Sequence, residues 1–239
     1  MSENWGTLLV AAARRDLEVR ARLAASGELF DGYNAEMEKV HNENAALLAR
    51  VFDDIGWPGR REFGDDGAGA AFLILQHAIG HPDLQRRGLA LILDAIPEGQ
   101  ANPLDAAYLS DRIAIFEQRA QTFGTQFDWD ANGQLSPAPV HEPEALDDRR
   151  ASVGLPPMAE TIAHMRANAA AEGQTAPADP GGTPCGLRCM GAQSGVARLT
   201  PPARGALWRV TEGWIWCGEL LAHCSRLSAW SRFWLAAPI

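Results

Sequence analysis

The run GAGAAFLILQHAI, residues 67–79, constrains the fold more than any other segment. At helical spacing it is apolar on nearly every side, and a helix of that kind is stable only when neighbours cover it. A chain that contains it therefore has to pack other elements around it. Gln76 and His77 interrupt the run near its end. Buried polar groups need partners, so the covering elements have to bring polar groups to meet them.

The covering elements are legible as further helices. Ser2 is placed to cap a helix running to about Ala25. A second is expected from about Asn34 to Ile55, stopped by Gly56 and Pro58. The apolar run itself spans about Asp66 to Ile79, ended by Gly80 and Pro82, and a fourth helix covers about Asp83 to Ile96. A fifth starts after Asn102 with Pro103 in its first turn and runs to about Thr122. Gly124 closes it by the usual role of glycine after a helix. TQFDW and QLSPAPV then flank Ala131-Asn132-Gly133, a hairpin signal. A last helix is expected from about Pro157 to Ala171.

The expectation is a mainly α fold: an irregular five- or six-helix domain over residues 1–172 with one small β-hairpin near 125–140. Residues 173–205 are rich in Gly, Pro, Ala and Thr and read as a linker. Residues 206–239 hold five of the eight tryptophans. This Trp-rich tail either docks a protein partner or is an extension of no function.

Composition removes some function classes. The net charge of −9 disfavours non-specific nucleic-acid binding, which needs a basic patch. The first residues lack the pattern of a secretion signal, and no uninterrupted apolar run is long enough for a membrane span. All four cysteines lie between 185 and 224. A body without cysteine suits a cytoplasmic location.

The functional signal lies in polar residues on apolar helix faces. Asp16 falls inside the stripe of Trp5, Leu8, Leu9, Ala12, Val19 and Leu23. Asn44 and His41 lie on the apolar side of the second helix, with Tyr33, Met37, Val40, Leu48, Phe52 and Ile55. In the fifth, Arg112 centres a face that includes Leu109, Ile113, Phe116, Ala120 and Phe123, with Asp105 and Arg119 nearly in line. A buried arginine stays charged and has to be paired; Asp16, Asp105 and Asp111 are the candidates. Such convergence between helices marks either a ligand site or a structural network.

Other motifs are weaker. Asp128, Asp130, Asn132 and Gly133 match the first half of a calcium loop, but Pro139 stands where a bidentate Glu belongs, so a hairpin turn explains them. His77 and His81 are four apart, but Gly80 and Pro82 bracket His81 and break the helix between them. His41, His77 and Asp16 make a two-histidine, one-carboxylate set, but no local metal motif supports it and no metal or other cofactor is assigned. Cys185 and Cys189 lack the second pair of a zinc site. No nucleophile elbow, P-loop or dinucleotide fingerprint is present. Asp147-Asp148-Arg149-Arg150 reads as a solvated charge run, or as a segment whose arginines hold an anion.

GWP at 56–58, AAFLILQHA at 70–78, AYLSDR at 107–112, GTQ at 124–126, and RR followed by VGLPPM at 149–158 together resemble a bacterial family of unknown function. The resemblance spans about residues 8 to 165. Phe123 stands where that pattern has tyrosine, and His141-Glu142 where it has an acidic pair. The resemblance implies roles for Gln76, His77, Asp111, Arg112, Thr125, Gln126 and Arg150, and implies no activity.

The leading expectation is a small enzyme-like domain that binds a polar or anionic small molecule or peptide group in an interhelical pocket. His77, Asp111 and Arg112 would be catalytic. Asp16, His41, Asn44, Gln76, Thr125, Gln126 and Arg150 would line the ligand. The alternative is a non-catalytic interaction module with a structural buried polar network.

Overall fold

A computed structural model describes residues 4–30, 33–171, 174 and 176. The linker and Trp-rich tail expected from the sequence lie outside the described residues. Within them are seven α-helices and one two-stranded hairpin. The helices are α1 (Trp5–Ser26), α2 (Ala35–Ile55), α3 (Arg60–His77), α4 (Pro82–Ala95), α5 (Pro103–Phe116), α6 (Leu146–Ser152) and α7 (Met158–Ala171). Strands β1 (Phe127–Trp129) and β2 (Leu135–Pro137) pair antiparallel, with Asp128 opposite Ser136. No described helix is long and apolar enough to cross a membrane.

The central place of α3 follows from its apolar surface. α1 and α2 pack against it and each other, and α4 packs on it and on α5. Leu9, Leu48, Leu73, Ile74, Leu75, Ile92 and Leu109 are fully buried between these helices; each such side chain contributes roughly 1.5–3 kcal/mol. Gly88 lets α4 approach closely, since a Cβ there would lie 2.3 Å from Leu75 Cδ2. Asparagines open the flanking helices: the side chains of Asn4, Asn34 and Asn102 each accept from a backbone N–H of the first turn.

Several boundaries and faces differ from expectation. α1 starts at Trp5 and is capped by Asn4 rather than Ser2. Leu8 and Ile55, placed on core faces, are exposed, and Ala13 is buried instead. α3 begins earlier, at Arg60, bent where Gly64 has φ 64°. The charge run at 147–150 lies in α6: Asp147 and Asp148 are exposed, as in a solvated run, and Arg150 is buried.

The largest correction concerns α5, which stops at Phe116. Arg119, Ala120 and Phe123 are therefore off its face. Gln118 takes φ 58°, and the Arg119 N–H turns back to the Ala114 carbonyl. Gly124 does not close the helix. It lies in the following loop with φ 67°, against the Met158 methyl.

The hairpin forms where expected, and Asp130 shows why no calcium is needed to explain it. Its carboxylate accepts the Asn132 and Gln134 N–H groups at 2.8 and 3.0 Å and the Ser136 hydroxyl at 2.8 Å. Gly133 supplies the positive φ, 69°.

Candidate functional site

Asp16 on α1, His41 and Asn44 on α2, and His77 at the end of α3 meet where these three helices touch. Their positions follow from the helical pattern: each is the polar member of an otherwise apolar face. Packing those faces together forces the polar groups into one place. Asp16 is fully buried, while His41, His77 and nearby Arg112 keep 6–8% exposure. Asp16 is the deepest member of the cluster.

The His77 Nδ1–H donates to Asp16 Oδ1 at 2.8 Å. His41 Nε2 lies 3.6 Å from Asp16 Oδ2, too far for a hydrogen bond. That nitrogen is buried and has no hydrogen-bond partner. The other ring nitrogen of His41 is 2.7 Å from the Tyr33 hydroxyl. The two imidazoles sit with centroids 5.0 Å apart. The Asn44 amide donates to Asp16 Oδ2 and to the Ala12 carbonyl, both at 3.4 Å.

Charge runs through the cluster. Burial works against ionised Asp16, but His77, His41 and Arg20 together hold its carboxyl below the ordinary 3.8. Burial, with the charges of His77, Arg20 and Arg112, pushes His41 down to about 3, against the pull of Asp16. The ring is therefore neutral at physiological pH. Burial and Arg20 bring Arg112 down to about 10, so it remains a cation.

Arg112 reaches this region from α5. Its Nη1 donates to the Gln76 carbonyl at 3.4 Å, and Gln85 from α4 donates to the Leu75 and Gln76 carbonyls at 3.3 Å. The two side chains bond to carbonyls of the last turn of α3, of which the Leu75 carbonyl also accepts the Ala78 N–H, and the guanidinium suits the negative end of the helix dipole. The Gln76 side-chain amide is buried with neither its oxygen nor its nitrogen hydrogen-bonded.

Asp111, Thr125, Gln126 and Arg150 belong to a second network, in the loop after α5. Asp111 accepts the backbone N–H groups of Thr122 (2.7 Å), Phe123 (3.1 Å) and Thr125 (2.9 Å), and the Thr125 hydroxyl (3.0 Å). Burial pushes its carboxyl above 3.8, and those donors pull the other way. Arg150 donates to the carbonyls of Phe123 (2.6 Å) and Pro156 (2.7 Å) and to the Thr161 hydroxyl. Gln121, fully buried, bridges the Gln126 and Ala138 carbonyls and accepts the Gln126 N–H. The Gln126 amide donates to the Thr125 hydroxyl at 3.0 Å. Arg149 donates to the Thr122 and Glu142 carbonyls. These groups spend their hydrogen bonds on the protein's own chain.

The structure thus divides the sequence candidates into two sets. Asp16, His41, Asn44 and His77 come together, with Arg112 and Gln76 at the end of α3. Asp111, Thr125, Gln126 and Arg150 come together elsewhere. His81 points away, to the Asn42 side chain at 2.9 Å. Sequence reasoning missed the site roles of Tyr33 and Arg20. The signal for Arg20 was its place one turn after Asp16 on α1. In the sequence Tyr33 reads only as an apolar-face residue.

Neither a curated protein nor a solved structure matches the chain. A family model described as a family of unknown function, DUF6624, matches residues 7–171, which include both networks, and the chain belongs to that family.

Proposed function

We propose that this is an enzyme-like domain that binds a polar or anionic small molecule or peptide group between α1, α2, α3 and α5. The observation that carries the reading is the buried His41 nitrogen without a partner, beside the Asp16–His77 pair. Leaving a buried polar atom unpaired costs about 1–3 kcal/mol, and a ligand that bonds to it recovers that cost. Arg112 would hold the anionic group. Asp16 would fix the His77 ring, so that His77 exchanges a proton with the ligand through Nε2. Asn44 and the Gln76 amide would supply hydrogen bonds. Asp111, Thr125, Gln126 and Arg150 would hold the loop that follows the Arg112 helix.

A structural network is the competing reading, favoured by the bond from Arg112 to the end of α3. Thermal unfolding of His77→Ala and Arg112→Lys separates the two. If the cluster is functional, at least one variant melts no lower than wild type, because functional groups often cost stability. If both melt lower, and phosphate, citrate and short acidic peptides leave the wild-type midpoint unmoved, the ligand-site reading fails.

A further inference from the structure

We propose that Asp16, His41 and His77 bind one transition-metal ion of the zinc class, with the remaining coordination position turned toward an anionic group. The inference rests on the same site as the proposed function and shares its unpartnered His41 nitrogen, to which it adds the grouping of three ligand atoms and the Tyr33 contact. One ligand atom from each of the three residues can be chosen so that all lie within 4.8 Å of one another. Ligands at 2.0–2.2 Å around a tetrahedral ion are about 3.3–3.6 Å apart, and side-chain rotation covers the difference. His41 supplies the second observation. Its buried Nε2 has no hydrogen-bond partner and faces Asp16 Oδ2 at 3.6 Å. Meanwhile the Tyr33 hydroxyl engages the opposite ring nitrogen at 2.7 Å. A group on the far nitrogen that fixes the ring is the usual outer partner of a metal-binding histidine.

The donor set selects the ion. Two imidazoles and one carboxylate suit zinc, cobalt, nickel, copper or ferrous iron rather than magnesium or calcium, which take oxygen ligands. Arg20 and Arg112 add positive charge that weakly bound, hard cations would not overcome. The same charge favours an anion at the open position. On binding, the ion takes the place of the proton between His77 Nδ1 and Asp16, and the neutral ring that coordinates through Nδ1 carries its proton on Nε2.

The test uses the full chain, tag removed and stripped by chelator, titrated with Co2+ and Zn2+. The four cysteines at 185–224 are alternative ligands, so the variant with Cys185, Cys189, Cys217 and Cys224 all changed to Ser is titrated beside wild type. The expected result is one equivalent of Co2+ per chain in both proteins, with visible d–d bands that Zn2+ displaces. His41→Ala and His77→Ala should bind at least about 100-fold more weakly, and Tyr33→Phe, which keeps its ring and its packing, about 10-fold more weakly. Absence of stoichiometric binding in wild type overturns the proposal without reference to how any variant folds. Binding that disappears with the cysteines, or survives loss of both histidines, overturns it as well. If no metal binds and anions still shift the wild-type midpoint, the metal site fails while the anion-binding reading stands. If a metal binds and no anion does, the reverse holds.

Discussion

His77 and Asp16 lie 61 residues apart in the chain and share a 2.8 Å hydrogen bond in the interior. The bond joins the last turn of α3 to the middle of α1 and sets the plane of the imidazole. His41 approaches the same carboxylate from α2 without completing a bond. One histidine is thus satisfied by the carboxylate, and the other is held short of it.

Gln76 offers a direct measure of what the cluster costs. Its amide is buried with no hydrogen-bond partner on either polar atom. Gln76→Met keeps the length and shape while removing both. Urea unfolding should show a gain of about 1–3 kcal/mol. A loss instead would mean that the amide is satisfied in solution.

Asp111 should behave in the opposite way. Asp111→Ala orphans the N–H groups of Thr122, Phe123 and Thr125 together with the Thr125 hydroxyl. The expected loss is about 3 kcal/mol or more. Amide exchange should accelerate at those three residues before it does in α1–α3. Unchanged exchange there would show that Gln121, Arg149 and Arg150 hold the loop without Asp111.

Gly88 sits where α4 crosses Leu75. A Cβ at that position would lie 2.3 Å from Leu75 Cδ2 and 3.1 Å from its Cγ. Alanine is the better helix former by about 1 kcal/mol, yet Gly88→Ala should destabilise by about 1–3 kcal/mol through overpacking. Adding Leu75→Ala should cost less than the sum of the two single changes. A double-mutant cycle with no coupling would remove the close approach as the reason for glycine.

Asp105 gives a pH dependence away from the cluster. Burial pushes its carboxyl from 3.8 up to about 7, with Arg60 opposing. The folded state therefore holds a proton that the unfolded state releases. Stability from this group is full below about pH 4 and is lost as pH rises through about 7. The loss is up to about 4 kcal/mol for a shift of this size, less whatever the N-terminal dipole of α5 returns. Asp105→Asn should match wild type near pH 4 and exceed it at pH 8 in chemical denaturation. Parallel curves at both values would place the carboxylate in solvent.

How much was legible follows from where each signal is written. The apolar run at 67–79 reads as the central helix because covering it is a requirement of the segment alone. The hairpin reads from Asn132-Gly133 because turn chemistry is local. Asp16, His41, Asn44 and His77 read as exceptions on apolar faces because helical period fixes a residue's angle around its own axis. The end of α5 did not read, because nothing local marks Phe116. Helix formation there loses to the Asp111 carboxylate, which draws in three backbone N–H groups from beyond the helix. Leu8 misled for a related reason: it lies at the margin of the stripe, about 100° around the axis from Leu9, and the neighbouring helices cover only Leu9.

The sequence by itself determined the presence of α1–α5, α7 and the hairpin, and the polar residues Asp16, His41, Asn44, Gln76, His77 and Arg112 on buried faces, since each depends on period, caps or turns within a few residues. Only the tertiary structure decided how that set divides. Asp16, His41 and His77 face one another, while Asp111 and Arg150 serve a loop, and adjacent residues Asp111 and Arg112 work in different networks. Angle around a helix is encoded locally. The height at which two helices meet, and therefore which charges share a low-dielectric space, is set by how whole faces pack.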